Sequence, residues 1–176
     1  MRKILLLPAM IVFILSFSHL YAQKRALSVG DSCPHFTLKD QNDSIINIAD
    51  LIGKKILVIY FYPKDESFIC TKEACAFRDK DKEFQKLGAI VIGVNYGTVE
   101  SHKKFCEKDN LPFLLLSDSS KAVLKMFGLK GGIASERATF VVDLTGQIVF
   151  TYDSMVNGAA HAEKALEYIR EMKSKM

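Results

Sequence analysis

In ILVIYFYPKDESFICTKEACAFRD, residues 56–79, an unbroken apolar run rich in β-branched and aromatic side chains ends at Pro63. Such a run, without polar alternation, predicts a strand buried on both faces. The polar PKDES that follows leads into a helical pattern in which Phe68, Cys75, Phe77, Phe84 and Leu87 alternate with Lys72, Glu73, Arg78, Asp79, Lys80 and Asp81. Gly88 stands where that helix should stop. A second buried strand, AIVIGVN at 89–95, comes next. Strand, helix and strand of these lengths predict a right-handed crossover onto a parallel neighbour.

Outward from this unit, Thr98 is placed as N-cap of a helix through VESHKKFCEK, followed by the short strand FLLL (113–116) and a third helix from the SDSS cluster to Gly128. ATFVVD (138–143) and QIVFTY (147–152), joined by Leu144-Thr145-Gly146, predict an antiparallel hairpin, and AHAEKALEYIREMK an amphipathic closing helix. The expected architecture is one α/β domain, a mixed central sheet with helices on both faces.

The chain has 176 residues, 49% of them apolar and 25% charged, as in an ordinary globular protein. The net charge, 24 minus 20 or +4, implies no nucleic-acid partner. Its start, MRKILLLPAMIVFILSFSHLYAQ, has a basic end, an apolar stretch from Ile4 to Phe17, and Ala22 before Gln23. Residues 1–22 read as a secretory signal peptide, leaving a domain over 23–176 and an exported, periplasmic or extracytoplasmic protein. A membrane anchor is the competing reading, against which stand Pro8 and a stretch short of the ~20 residues a spanning helix needs. Export would put Cys33, Cys70, Cys75 and Cys106 where disulfides persist, so a structural bridge is a serious alternative.

Cys70 falls in the first turn of the helix after Pro63, where free N–H groups and the positive dipole end favour thiolate over thiol. Ser67 is placed to hydrogen-bond to the sulfur and Pro63 to shield it. Taken alone, Cys70 reads better as a buried small hydrophobe. Cys75 lies five positions on, too wide for C-x-x-C, and no histidine is near enough to complete a zinc set. His35, His102 and His161 are isolated, so no metal is assigned.

FYPKDESFICTKEACAFRD resembles the peroxiredoxin family, and within it the bacterioferritin comigratory protein or peroxiredoxin Q subgroup. The P-x-x-x-[TS]-x-x-C signature is matched by Pro63, Ser67 and Cys70, and the resolving cysteine by Cys75. The likeness continues through VGDSCPHFTLKDQND, VESHKKFCEKDNLPFLLLSD and ERATFVVDLTGQIV. It implies a thioredoxin-like fold and a thiol peroxidase without bound cofactor. Cys70 would be the peroxidatic thiol, Cys75 the resolving one, and Arg137 the arginine that completes the peroxide pocket. It further implies a hydroperoxide substrate, a thioredoxin-like dithiol reductant and a monomer. For Arg137 alone, a solvated surface charge is the plain reading.

The chain departs from the family's usual Thr-Pro-Gly at Ser67, Phe68 and Ile69, which keeps the hydroxyl and adds bulk at the pocket mouth. Cys33 and Cys106 are additional and read as buried packing thiols. Two other functions compete. An exported thiol-disulfide oxidoreductase of the same fold would use C-x-x-C, usually after tryptophan, and the chain has neither. A secreted module would use Cys70 and Cys75 as a structural staple.

Overall fold

The computed structural model describes residues 25–130 and 137–175. The expected crossover is its centre: β3 (Ile56–Phe61), α1 (Phe68–Lys86) and β4 (Ala89–Asn95), with β3 and β4 parallel from Ile56 against Ala89 to Phe61 against Val94. Alternate residues of β3 enter the two halves of the core. Val58 and Tyr60 pack under α1, whereas Leu57, Ile59 and Phe61 face the opposite side. Because every β3 residue is buried, polar alternation has no place in it.

Gly88 ends α1 at φ 76, and Thr98 caps α2 (Val99–Asp109) by accepting from the Ser101 amide at 3.1 Å. β5 (Leu114–Ser117) then joins β4 in parallel. The next helix is shorter than the sequence predicts: α3 covers only Ala122–Met126. Lys121 stands at φ 56, in the left-handed region, so the helix cannot run continuously from the polar cluster before it.

β6 (Ala138–Val142) and β7 (Ile148–Asp153) form the expected hairpin, and Asp143 secures its turn by accepting from the Thr145 and Gln147 amides. α4 (Gly158–Ser174) closes the fold. The sequence reading did not include the hairpin of β1 (Thr37–Asp40) and β2 (Ile45–Asn47), which extends the sheet at its far edge. The complete order is β2-β1-β5-β4-β3-β6-β7, with parallel and antiparallel neighbours mixed. α1 and α4 cover one face with Phe105 of α2, and α3 lies on the other. This is the mixed, doubly covered sheet expected. Among the described residues no helix is long and apolar enough to cross a membrane.

Candidate active site

Strand β3 delivers the chain to Pro63, and the loop 63–67 turns it into α1. The loop is held by Asp65, which is 7% exposed. Its carboxylate accepts from the Tyr62 hydroxyl at 2.7 Å, the Asn95 amide at 3.0 Å and the Ser101 hydroxyl at 2.5 Å, and meets His102 Nδ1 at 2.8 Å. Burial would raise the Asp65 pKa, but the bonds from His102, Ser101 and Tyr62 outweigh it and hold the carboxyl below its ordinary value. The loop is therefore tied to the end of β4 and the start of α2.

Ser67 is the N-cap residue of α1, so Cys70 lies in the first turn, as expected. The predicted contact from Ser67 to the sulfur is not made. The Ser67 hydroxyl donates to the Lys64 carbonyl at 3.3 Å, closing the turn in which Glu66 takes φ 56. Pro63 is half-buried just beyond β3. Phe68 is 73% exposed, with the Lys72 ammonium 4.2 Å from its ring centroid, so its bulk lies on the surface.

Arg137 arrives from immediately before β6 and is only 4% exposed, not a solvated surface charge. Its Nη2 donates to Cys70 Sγ at 3.1 Å, and its Nη1 pairs with Glu73 Oε2. The guanidinium thus bridges the Cys70 sulfur and the Glu73 carboxyl group inside the fold. Burial pushes Glu73 up to about 8, against the opposing pull of Arg137. One helical turn beyond Cys70, Glu73 stands in the sequence pattern only as one of the charged residues mixed into the helix. The signal that identifies it is the stripe Cys70, Glu73, Ala74 and Phe77, spaced i, i+3, i+4 and i+7: a carboxyl in the row of α1 that faces the core.

His161, at the start of α4, was read as isolated and is also brought in. Its Nδ1 lies 2.9 Å from the Thr139 hydroxyl and 3.4 Å from Glu73 Oε1, and its Nε2 lies 3.0 Å from the Ser154 carbonyl. Burial drives the imidazole down to about 4, the Ser154 bond opposing. Cys75 is half-buried on the same helix as Cys70, with its sulfur 4.0 Å from Asp109 of α2, and burial raises its thiol. All four cysteines are free. Cys33 is buried, as expected of a packing thiol, whereas Cys106 is half-buried against the core that contains Cys70. Burial pushes both thiols up to about 12. A cavity of about 540 Å³ lies beside Arg137, lined by Leu27, Leu129, Phe140 and Tyr152 among others, but Cys70 does not line it.

The AhpC/TSA family model matches residues 29–151. The chain belongs to this family. It is 40% identical over 147 residues to the chloroplastic peroxiredoxin Q of Sedum lineare, covering 82% of this chain and 78% of that protein. Among solved structures, the peroxidoxin BcpB of Mycobacterium tuberculosis superposes with a TM-score of 0.78 at 33% identity, covering 84% of this chain and 98% of that one. A cysteine-to-serine mutant of PrxQ from Xylella fastidiosa gives 0.78 at 28% identity, covering 85% and 99%. The chain is thus a peroxiredoxin of the peroxiredoxin Q subgroup with a thioredoxin-like fold, and a thiol peroxidase.

The export drawn from the N-terminal stretch is corrected by the same comparison: the peroxiredoxin Q relatives from Sedum lineare and Arabidopsis thaliana are chloroplastic, and nothing in the comparison shows an exported protein. A basic start followed by an apolar run is a compositional pattern that many targeting segments approach, and it does not fix the destination. Residues 1–22 lie outside the described residues.

Proposed function

We propose that Cys70 is the peroxidatic thiol and Cys75 the resolving one. The observation that carries this is the Arg137 guanidinium, 3.1 Å from Cys70 Sγ, against the first turn of α1. Cation and helix terminus both stabilise the thiolate. That thiolate attacks the distal oxygen of a hydroperoxide. The S–O bond forms as the O–O bond breaks, sulfur is oxidised by two electrons, and the leaving oxygen takes up a proton as water or alcohol. Arg137 faces the charge that develops there. Pro63 and Ser67 shape the loop in front of the sulfur. Cys75 then attacks the sulfenic sulfur, forming the Cys70–Cys75 disulfide and releasing water.

A thioredoxin-like dithiol donor reduces that bond through a mixed disulfide. Cys70, Cys75 and Arg137 lie on one chain, so the cycle requires no second copy, and the working form proposed is a monomer. Rapid mixing of the reduced protein with hydrogen peroxide, followed by trapping of the sulfenic acid and peptide mapping, tests the reading. Oxidation confined to Cys70, followed by a bond to Cys75, is expected. A bond from Cys70 to Cys106 would reassign the resolving thiol, and sulfenic acid formed elsewhere would remove Cys70 from the role.

A further inference from the structure

The first turn of α4 is seated directly on the reactive turn of α1. A Cβ at Gly158 would stand 2.7 Å from the Ile69 carbonyl oxygen and 3.0 Å from Glu73 Cβ, so only glycine lets the two backbones meet. This close approach brings His161 over Glu73. A carbonyl can only accept, so the Ser154 contact fixes the hydrogen on Nε2 and leaves the Nδ1 lone pair facing the site. Opposite Nδ1, at 3.4 Å, stands Glu73 Oε1, a buried oxygen without a hydrogen-bond partner among the described residues. Both side chains have zero exposure. A bare carboxylate oxygen facing a nitrogen lone pair in a dry interior is repulsive, and a proton between them satisfies both.

A count of charges leads to the same place. The groups around Glu73 and His161 are Cys70 from α1, Tyr60 from β3, Arg137 and Thr139 at β6, and Tyr152 and Asp153 from β7. Burial holds Tyr60 well above its ordinary pKa, as a neutral phenol. Among the described residues Arg137 is the one cation in contact with the cluster, and a Cys70 thiolate and a Glu73 carboxylate would both draw on it. Two buried anions against one cation leave an uncompensated charge, which is costly in the interior.

We propose that His161 is a positioning residue of the peroxidase: its Nδ1 and Glu73 Oε1 hold one proton between them, which leaves the Arg137 charge to the Cys70 thiolate. The directions in which burial moves the two groups, Glu73 up and His161 down, rest this proton on the carboxyl side at neutral pH. Nδ1 has a single lone pair, so Glu73 and the Thr139 hydroxyl, 2.9 Å away, compete to donate to it. When Glu73 ionises, Thr139 takes its place. Without His161 the neutral carboxyl loses its acceptor, ionises more readily, and draws Arg137 away from the sulfur.

The inference rests on Cys70 as the reacting thiol, and its test reads the thiolate without turnover. In full-length protein carrying Cys33→Ser, Cys75→Ser and Cys106→Ser, the thiolate of Cys70 is titrated by ultraviolet absorbance. His161→Phe is expected to move the midpoint up by about one pH unit, a tenfold loss of thiolate below the midpoint. Glu73→Gln, which mimics the protonated carboxyl, is expected to leave the midpoint in place or lower it, and to cancel the effect of His161→Phe in the double variant. No shift in His161→Phe, or an equal shift with and without Glu73→Gln, would overturn the proposal, the latter pointing to simple loosening of α4. If His161→Phe does not fold, Glu73→Gln alone decides, because a raised midpoint in that variant would also overturn it. Failure of the wild-type protein to oxidise at Cys70 would instead strike the assignment of the reacting thiol.

Discussion

Oxidation of Cys70 and Cys75 should unwind the start of α1. Both residues lie on the continuous helix Phe68–Lys86. Five residues of α-helix rise about 7.5 Å and turn through about 500°, which on a Cα radius near 2.3 Å puts the two Cα atoms roughly 8.7 Å apart with side chains some 140° out of register. A disulfide needs Cα atoms within about 7 Å, with Cβ vectors that converge. The separation must therefore close by about 2 Å or more, which an intact helix does not allow. Every helical bond spanning Cys70 to Cys75 is at risk, at a net cost of about 1 kcal/mol each. Glu73 and Ala74, both with zero exposure, must shift with the backbone. Gly158 is seated on Ile69 and Glu73, so the first turn of α4 should loosen as well. Hydrogen exchange on the reduced and peroxide-treated protein checks this. Faster exchange of the amides from Cys70 to Phe77, with a smaller increase at Ala160–Ala162, is expected after oxidation. Equal protection in both states, with the Cys70–Cys75 bond confirmed by mass spectrometry, would refute the helix argument.

Cys70→Ser should abolish peroxide consumption, whereas Cys33→Ser and Cys106→Ser should retain most of it, as measured by stopped-flow competition against a reference peroxidase. Arg137→Gln removes the donor on the sulfur and should slow the reaction with peroxide roughly 10²–10³-fold, the scale of a lost oxyanion donor. Asp65→Asn cannot accept from all its partners and leaves buried donors unpaired, so a chemical-denaturation midpoint should report a loss of about 2–4 kcal/mol. For pH dependence, Glu73 moves from 4.5 to about 8 on folding and His161 from 6.5 to about 4. Both states hold one proton on the pair between pH 4.5 and 6.5, so stability is level there. Above pH 6.5 the fold holds the extra proton and stability falls until about pH 8, and below pH 4.5 the unfolded chain holds it and stability falls again. Urea denaturation should show the alkaline loss in the parent protein and not in Glu73→Gln.

The crossover at the centre of the fold was legible because β3 and β4 are buried on both faces and Gly88 marks the helix end. The hairpin of β1 and β2 was not, because both strands are short and sit at one end of the sheet, where residues such as Thr37 and Lys39 are exposed and the apolar signal is weak. At the site, Cys70 and Cys75 are proposed from a linear signature and Arg137 from the family match. Glu73 and His161 depend on the packing of α4 against α1, and a pairing between residues 88 positions apart has no local pattern. Ser67 shows the reverse case: its position was right, but its hydroxyl follows the local turn to Lys64 and not the sulfur.

The Asp65 clamp gives the redox movement a direction. With the loop ahead of Cys70 fastened to both β4 and α2, the helix start has an anchored side and a free side, and closing the gap to Cys75 must draw in the free one. Cys75 and its neighbour one turn on, Arg78, now rest on Asp109 at the end of α2, Arg78 through a 2.8 Å bond to its carbonyl. Retraction of Cys75 would strip these contacts from α2. The state of the sulfur would then be legible from outside along the seam between α1 and α2, where a reductant could tell spent enzyme from fresh before touching the disulfide.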